Sequence, residues 1–397
     1  MQLIQKSFPA KRISPMDQHF FFGYYDLQPF SGRYHLAHKV GFTDRLNRKN
    51  DVAQIGLLNV DTEQFDVLDE TYAWCFQQGA MLQWNPAAPN DEIIYNSKVG
   101  QEFVGTVMNI HTGAKRYLEK PVANVSPTGE YALGLNFSRL YDFRAGYGYP
   151  SIGDYFFYDN HHEKDGIHLI DMKTGKAKLI ISLQEIWEKY GSWFGCDKKI
   201  VINHITFNTD GTRFLFIVRN FPDPGKSHND LVITANRDGS DMFVLSDWGG
   251  FSHYHWRDPE NLIYFSDGKA LECGRGRFNQ YIQKDKTYEG ELVGDGIFFT
   301  DNHMSYSPDR KLLLNDTYPL AQFNKCQSLR VLNFEKDVNL ELGRFHSMLN
   351  ANDFWCCDLH PCWSPDGKMI SFDSTHEGFR GIYMVEMEPI LEFFDKL

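Results

Sequence analysis

Four histidines stand at one equivalent position of a repeating pattern in this 397-residue chain. His204, His303 and His360 each lie three residues ahead of an aromatic that opens a tight turn (Phe207, Tyr306 and Trp363), and His253 lies three ahead of Trp256. Met81 and Val122 hold that place ahead of Trp84 and Val125. A lone histidine there would be a buried polar group pinning the chain. Four that converge surround one space, and neutral imidazole is both the commonest metal ligand and the usual general base near neutral pH. His255 adds a fifth imidazole close by. Cys357 and Cys362 flank His360, so the expected metal ligands are His303, His360 and one or both cysteines. An imidazole–thiolate mixture suits zinc, and imidazole with carboxylate or amide suits manganese. The expected cofactor is therefore a divalent ion, zinc or manganese.

Arginines supply the complementary chemistry. Arg219 ends the apolar run Phe216-Ile217-Val218, Arg257 follows His255, and Arg139 and Arg144 sit among Tyr141, Tyr147 and Tyr149. With 52 acidic against 40 basic residues, the chain carries a net charge of −12, so an anionic ligand needs such local positive groups. His204, His253, His255, Arg219 and Tyr147 are the expected catalytic groups. Gln78, Arg139, Arg144 and Arg257 are the expected substrate contacts.

Positioning these residues requires a repeating scaffold. The turn Trp363-Ser-Pro-Asp-Gly-Lys precedes an alternating strand, and cousins open at Tyr306, Phe207, Val125, Trp256, Trp84 and, most degenerately, Tyr25. Each is a strand end, a Pro/Asp/Gly turn and a second strand, a hairpin signature. A second hairpin follows most copies, as in His168-Leu-Ile-Asp-Met-Lys-Thr-Gly, so each unit holds about four strands. Units recur roughly every 40 to 57 residues, with one longer, which is the mark of a propeller. The expected fold is an all-β, seven-bladed β-propeller occupying residues 1–397 as one domain, with blades starting near 19, 75, 121, 201, 249, 301 and 358. The last unit is one strand short, and residues 1–14 are expected to supply that strand and close the ring. Leu183, Ile186, Trp187 and Tyr190 predict a short helix in the long third unit, and Ile390, Phe393, Phe394 and Leu397 predict another at the C-terminus.

Other chemistries are excluded. There is no G-x-S-x-G elbow, no phosphate-cradling loop and no H-E-x-x-H, and Gly274-Arg-Gly-Arg277 is only a basic turn. The acidic balance argues against nucleic acid, and no apolar run is long enough to span a membrane. Seven cysteines with no disulfide spacing, and an N-terminus without an apolar stretch, lead to the expectation of a cytoplasmic protein. Oligomeric state is not legible.

The repeat turns at Trp363 and Tyr306, with His303 ahead of one and Cys357-x-x-His360-x-Cys362 ahead of the other, resemble oligogalacturonate lyase and the related ulvan-lyase-type propellers. The opening His19-Phe-Phe-Phe-Gly-Tyr-Tyr-Asp-Leu-Gln-Pro-Phe-Ser-Gly is similar to that group as well. The resemblance implies a seven-bladed propeller that cleaves uronate-containing chains by β-elimination, with a divalent metal near its channel and an acidic oligosaccharide as partner. It implies metal-binding roles for His303 and His360, with Cys357 where a glutamine would be and Cys362 where a further histidine would be. It also implies a catalytic histidine at His253 or His255 and an arginine at Arg219. Two rival readings stand beside it. One is a glycoside hydrolase using carboxylates such as Asp301, Asp358 or Glu102; the other is a propeller that only binds sugar or protein.

Overall fold

The structure is a computed structural model of the whole chain, described here for all residues except 248–250, 270, 272, 274–277, 299, 320–323 and 351–352. The basic turn 274–277 and the residues around the expected start of blade five at 249 thus lie wholly or partly outside the described residues.

Seven sheets follow one another along the chain, each antiparallel among its consecutive strands, and they form a seven-bladed β-propeller. The first strand of each blade is the inner one. These inner strands are His19–Phe21, Gln83–Trp84, Val122–Val125, Ile200–Phe207, Tyr254–Trp256, Met304–Tyr306 and Cys362–Trp363. The outermost strands are less buried than the inner ones, and Lys115–Tyr117 is wholly exposed. Blade seven is completed from the N-terminus, where Lys11–Arg12 pairs antiparallel with Gly381–Glu386. That is the closure expected of residues 1–14. A further strand, Gln2–Gln5, was not expected; it runs parallel to Val338–His346 as a fifth strand on the edge of blade six. The same N-terminal segment therefore staples two neighbouring blades.

The turns after the inner strands of blades six and seven close on themselves. In blade seven the Ser364 hydroxyl donates to Asp366 (2.7 Å) and accepts the Met369 N–H (3.0 Å), while Asp366 also accepts the Lys368 N–H (3.1 Å). Blade six repeats the pattern with Ser307, Asp309, Lys311 and Leu312. The fourth turn position is left-handed in blades three, four and seven, at Gly129, Gly211 and Gly367 with φ near +70°, and glycine is the residue that meets this without steric cost. Blade six places Arg310 there, at φ +65°.

Both expected helices form, at Leu183–Tyr190 and Glu388–Asp395. Ser182 caps the first by accepting the Glu185 N–H. A third short helix, Phe137–Phe143, lies in the blade-three insertion and was not foreseen. Among the described residues no helix is long and apolar enough to cross a membrane.

Candidate functional site

The segments that lead into the inner strands of blades four to seven bring their histidines into one chain of ring contacts. His204 meets His253 at 5.7 Å between ring centroids, His253 meets His303 at 4.2 Å, and His303 meets His360 at 4.3 Å. All four are buried. Two are re-aimed by the backbone: His204 (φ +46°) sits in a register shift of its inner strand, between Asn203 and Thr206, and His360 has φ +40°. A bulge of this kind turns a side chain out of the alternation of the strand.

Blade one contributes no histidine. In its place Tyr24 and Tyr25 come in from the end of its inner strand and fill the middle of the ring. The Tyr24 hydroxyl is hydrogen-bonded to His204 Nδ1, and the Tyr25 ring packs against His253 and His303 at 5.8 and 5.3 Å. Tyr25 also donates to the Tyr254 carbonyl at 3.0 Å. Tyr318 from blade six stands 5.5 Å from His303, and Tyr147 from the blade-three insertion packs edge-on against His204 at 5.4 Å.

Carboxylates orient two of the imidazoles. His253 Nδ1 donates to Asp301 (3.0 Å), whose other oxygen accepts from Ser252 (2.6 Å). His303 Nδ1 donates to Asp316 (2.9 Å). Such a partner fixes the tautomer and leaves Nε2 as a lone pair. The His303 Nε2 faces His360 Nε2 at 3.1 Å. Asp358 adds a buried Oδ1 with no hydrogen-bond partner, and the ligand atoms of His303, Asp358 and His360 lie within 4.8 Å of one another. Two imidazole nitrogens and an unpartnered carboxylate oxygen converging in a buried space are donors for a divalent cation, and the set fits one.

The electrostatics follow from this burial. Burial and then the nearby Arg219 hold His204 well below its ordinary pKa, and burial holds His253 down against the pull of Asp301. For His303 burial acts downward, but the bonded Asp316 outweighs it and the pKa is raised. Burial raises Asp358.

Arginines approach from the rim. Arg144 is half-buried, lies over the Tyr147 ring at 4.6 Å, and has no carboxylate or carbonyl partner for its guanidinium among the described residues. Its charge is felt by Tyr147, Asp358 and His204. Arg219 is buried beside the same groups, with Nε donating to Asp230 at 2.9 Å.

Other expected site residues lie elsewhere. Arg139 is fully buried and its guanidinium is consumed by Asp154 (3.3 Å) and by the carbonyls of Asp159, Asn160 and Ile200 (2.6–2.9 Å). It clamps the insertion to blade four and has no donor to offer a substrate. His255 and Arg257 point to the opposite, turn-bearing end of the inner strands. His255 Nδ1 accepts the Tyr306 N–H there (3.4 Å), and Arg257 pairs with Asp258 (3.0 Å). The cysteines stand outside the group of converging ligand atoms. Cys362 Sγ contacts the carbonyls of Tyr24, Tyr25 and His360, Cys357 Sγ contacts the Asp358 carbonyl, and burial pushes the Cys357 thiol up to about 12. Gln78 is buried in the blade-two loop against Gly23, and its neighbour Gln77 donates to Cys356 Sγ at 3.0 Å. Asp316, Tyr24, Tyr25 and Tyr318 escape sequence reasoning, because none occupies the position three residues ahead of a turn. Asp301 and Asp358 enter the sequence reading, with Glu102, only as carboxylates that a hydrolase could use, not as partners of histidine and metal.

No family model matches the chain, and no curated protein matches it. Solved structures do. Oligogalacturonate lyase from Vibrio parahaemolyticus is 15% identical with a TM-score of 0.66, over 96% of this chain and 94% of that one. An oligogalacturonate lyase in complex with manganese is 17% identical with a TM-score of 0.67, over 96% and 93%. The β-propeller domain of the trilobed protease from Pyrococcus furiosus is 10% identical with a TM-score of 0.53, over 92% and 94%. Likeness at these identities establishes the propeller, which proteins of different chemistry share.

Proposed function

We propose that the histidine rim is the active site of a lyase that cleaves a uronate-containing oligosaccharide by β-elimination. One observation carries the reading: the ligand atoms of His303, His360 and Asp358 converge within 4.8 Å of one another, near a half-buried guanidinium, Arg144, that has no carboxylate or carbonyl partner among the described residues. Two of the structural neighbours are oligogalacturonate lyases, one of them complexed with manganese, and they support the same class.

A uronate C5 proton is weakly acidic until the adjacent carboxylate is neutralised. Arg144 and Arg219 supply positive charge to bind that carboxylate and hold its plane, in a site walled by Tyr24, Tyr25, Tyr147 and Tyr318 that keeps water out and strengthens the attraction. His303, Asp358 and His360 would hold a divalent ion, which when bound supplies Lewis-acid stabilisation of the charge developing on the carboxylate. His253, held neutral by burial and oriented by Asp301, takes the C5 proton at Nε2. Tyr147, against His204 and beneath Arg144, returns a proton to the departing glycosidic oxygen. Hydrolysis by a carboxylate pair is the weaker reading, because both Asp301 oxygens are already engaged by Ser252 and His253.

The test is ultraviolet absorbance of an unsaturated uronate, followed during incubation with galacturonate, glucuronate and rhamnose-linked acidic oligosaccharides, with and without chelator. Absorbance that rises on one substrate and is lost on chelation is the expected result. A flat trace from folded, metal-loaded protein, with reducing ends released or none, would replace elimination by hydrolysis or by binding alone.

A further inference from the structure

Carboxylates orient His253 and His303, but a phenol orients His204. We infer that His204 is a neutral hydrogen-bond donor of the rim, aimed at the substrate carboxylate, and that Tyr24 is the positioning residue that fixes its tautomer. The inference rests on the acidic-sugar reading for its ligand. It goes beyond that reading by giving His204 a role opposite to that of His253.

The tautomer follows from counting hydrogens. Tyr24 is 5% exposed, and its hydroxyl is hydrogen-bonded to His204 Nδ1. A phenol buried this deeply keeps its proton. The Tyr25 hydroxyl is no outlet for that hydrogen, since the Tyr254 backbone engages it through both its carbonyl (3.0 Å) and its N–H (3.4 Å). Were Nδ1 the protonated nitrogen, the Tyr24 hydrogen would be buried without an acceptor. With the phenol donating, Nδ1 accepts and the hydrogen of the neutral ring sits on Nε2. Burial, with Arg219 nearby, keeps the ring neutral. His253 and His303 come out the other way round, each giving its Nδ1 hydrogen to an aspartate and keeping a lone pair at Nε2.

The backbone is shaped for this presentation. His204 is left-handed, at φ +46°, within the register shift between Asn203 and Thr206, and the Tyr254 hydroxyl donates to its carbonyl at 2.8 Å. A conformation of some cost is thus held by partners from blades one and five. The Tyr24 ring stacks on the imidazole (5.8 Å, 16°), while Tyr147 and His253 meet it edge-on. Nε2 has no partner among the described residues and is not among the atoms sealed from solvent.

The atom that this hydrogen meets follows from its neighbours. Among charges, Arg219 acts on His204 most strongly, and Arg144 is also within reach. Arg219 is buried and donates from Nε to Asp230, with no partner for its Nη groups among the described residues. A carboxylate oxygen held by those Nη groups would accept from His204 as well. A neutral third donor adds a hydrogen bond there without adding another buried like charge.

The experiment is nitrogen NMR of zinc-loaded protein isotopically labelled at the histidine imidazoles, at neutral pH, with His204→Gln to assign the signals. His204 is expected to show a lone pair at Nδ1 and a hydrogen at Nε2. Tyr24→Phe is expected to move both signals toward the average of a ring free to change tautomer. Galacturonate, but not galactose, is expected to shift the Nε2 signal saturably. Followed on the His253 signals, galacturonate should bind roughly tenfold more weakly to His204→Leu than to His204→Gln, which retains a terminal N–H. A hydrogen on Nδ1, an Nδ1 signal indifferent to Tyr24→Phe, equal shifts from the two sugars, or equal affinity in the two His204 variants would overturn the proposal. None of these readouts needs turnover. A flat ultraviolet trace with all of them as expected would remove elimination and keep the donor, whereas a rising trace with the opposite tautomer would keep elimination and remove the donor.

Discussion

The two ends of the inner strands spend their polar groups in opposite ways. At the turn end, Ser364, Asp366 and the Met369 N–H, like Ser307, Asp309 and the Leu312 N–H, satisfy one another within six residues. At the histidine end, polar atoms are held in place by distant partners and left with one face unspent: His303 by Asp316, His253 by Asp301, and Asp358 with a free oxygen. Local closure is what a scaffold needs, because each turn must fold whatever its neighbours do. Groups oriented from outside, with a lone pair or a donor remaining, are what a reacting site needs. The same contrast separates two arginines of one insertion. Arg139 is saturated by Asp154 and four carbonyls, whereas Arg144, five residues later, has no such partner among the described residues.

The sharpest way to break the comparison is His303→Ala. It removes one metal-ligating nitrogen and frees Asp316, so bound divalent metal should fall to background by elemental analysis. The rate of unsaturated-uronate formation should fall by roughly a thousandfold or more. Retention of both metal and rate would make the ring of histidines a packing feature like the turns.

The arginine pair comes next. Arg144→Ala should lower kcat/KM by about 100-fold, with the urea midpoint unchanged. Arg139→Ala should do the converse, costing about 3–5 kcal/mol of stability by stranding buried Asp154, with loss of activity only in proportion to unfolding. Equal effects on stability from both variants would erase the distinction drawn between them.

How much of this was legible in the sequence depends on whether residues share a register. The seven blades, the closing strand and the helix at Leu183–Tyr190 follow from turn chemistry and apolar spacing, which are local. The four histidines were found because they keep a fixed distance from an aromatic. Cys357 and Cys362 keep company with His360 in sequence, but the left-handed backbone at His360 (φ +40°) breaks the alternation between them, and each Sγ ends on a backbone carbonyl. His255 fails because the strand carries it from the rim toward the turns. Arg139 was indistinguishable from Arg144 until the fold supplied its partners. Tyr24 and Tyr318 reach the site from positions that no repeat marks, and Tyr25 reaches it from the place of a turn-opening aromatic, not from that of the histidines.

Histidines outside the rim sharpen the contrast through pH. His35 and His255 are buried without a carboxylate partner and are held down to about 3, and His38 to about 4, by burial in each case. A histidine whose folded pKa lies below its unfolded value of 6.5 stabilises the fold above that value. The contribution is lost as pH falls, because the unfolded chain takes up the proton first. Each should cost about 1.4 kcal/mol per pH unit between 6.5 and its folded pKa. Urea unfolding at pH 7 and pH 5 should show this loss, and His35→Gln should shed one histidine's share of the slope.

The smallest effect is expected at the cysteines, and it bears on the identity of the metal. Burial raises the thiols of Cys357 and Cys362, and both spend their hydrogen on carbonyls, so neither is poised to become a thiolate ligand. Cys357→Ser and Cys362→Ser should each leave metal content unchanged and cost at most about 1–2 kcal/mol of stability, from a hydroxyl placed where a less polar thiol was buried. The remaining set, two imidazoles and a carboxylate, is borderline to hard, and a site without thiolate has less reason to prefer zinc over manganese. Loss of metal in either serine variant would return sulfur to the coordination shell and shift the expectation to zinc.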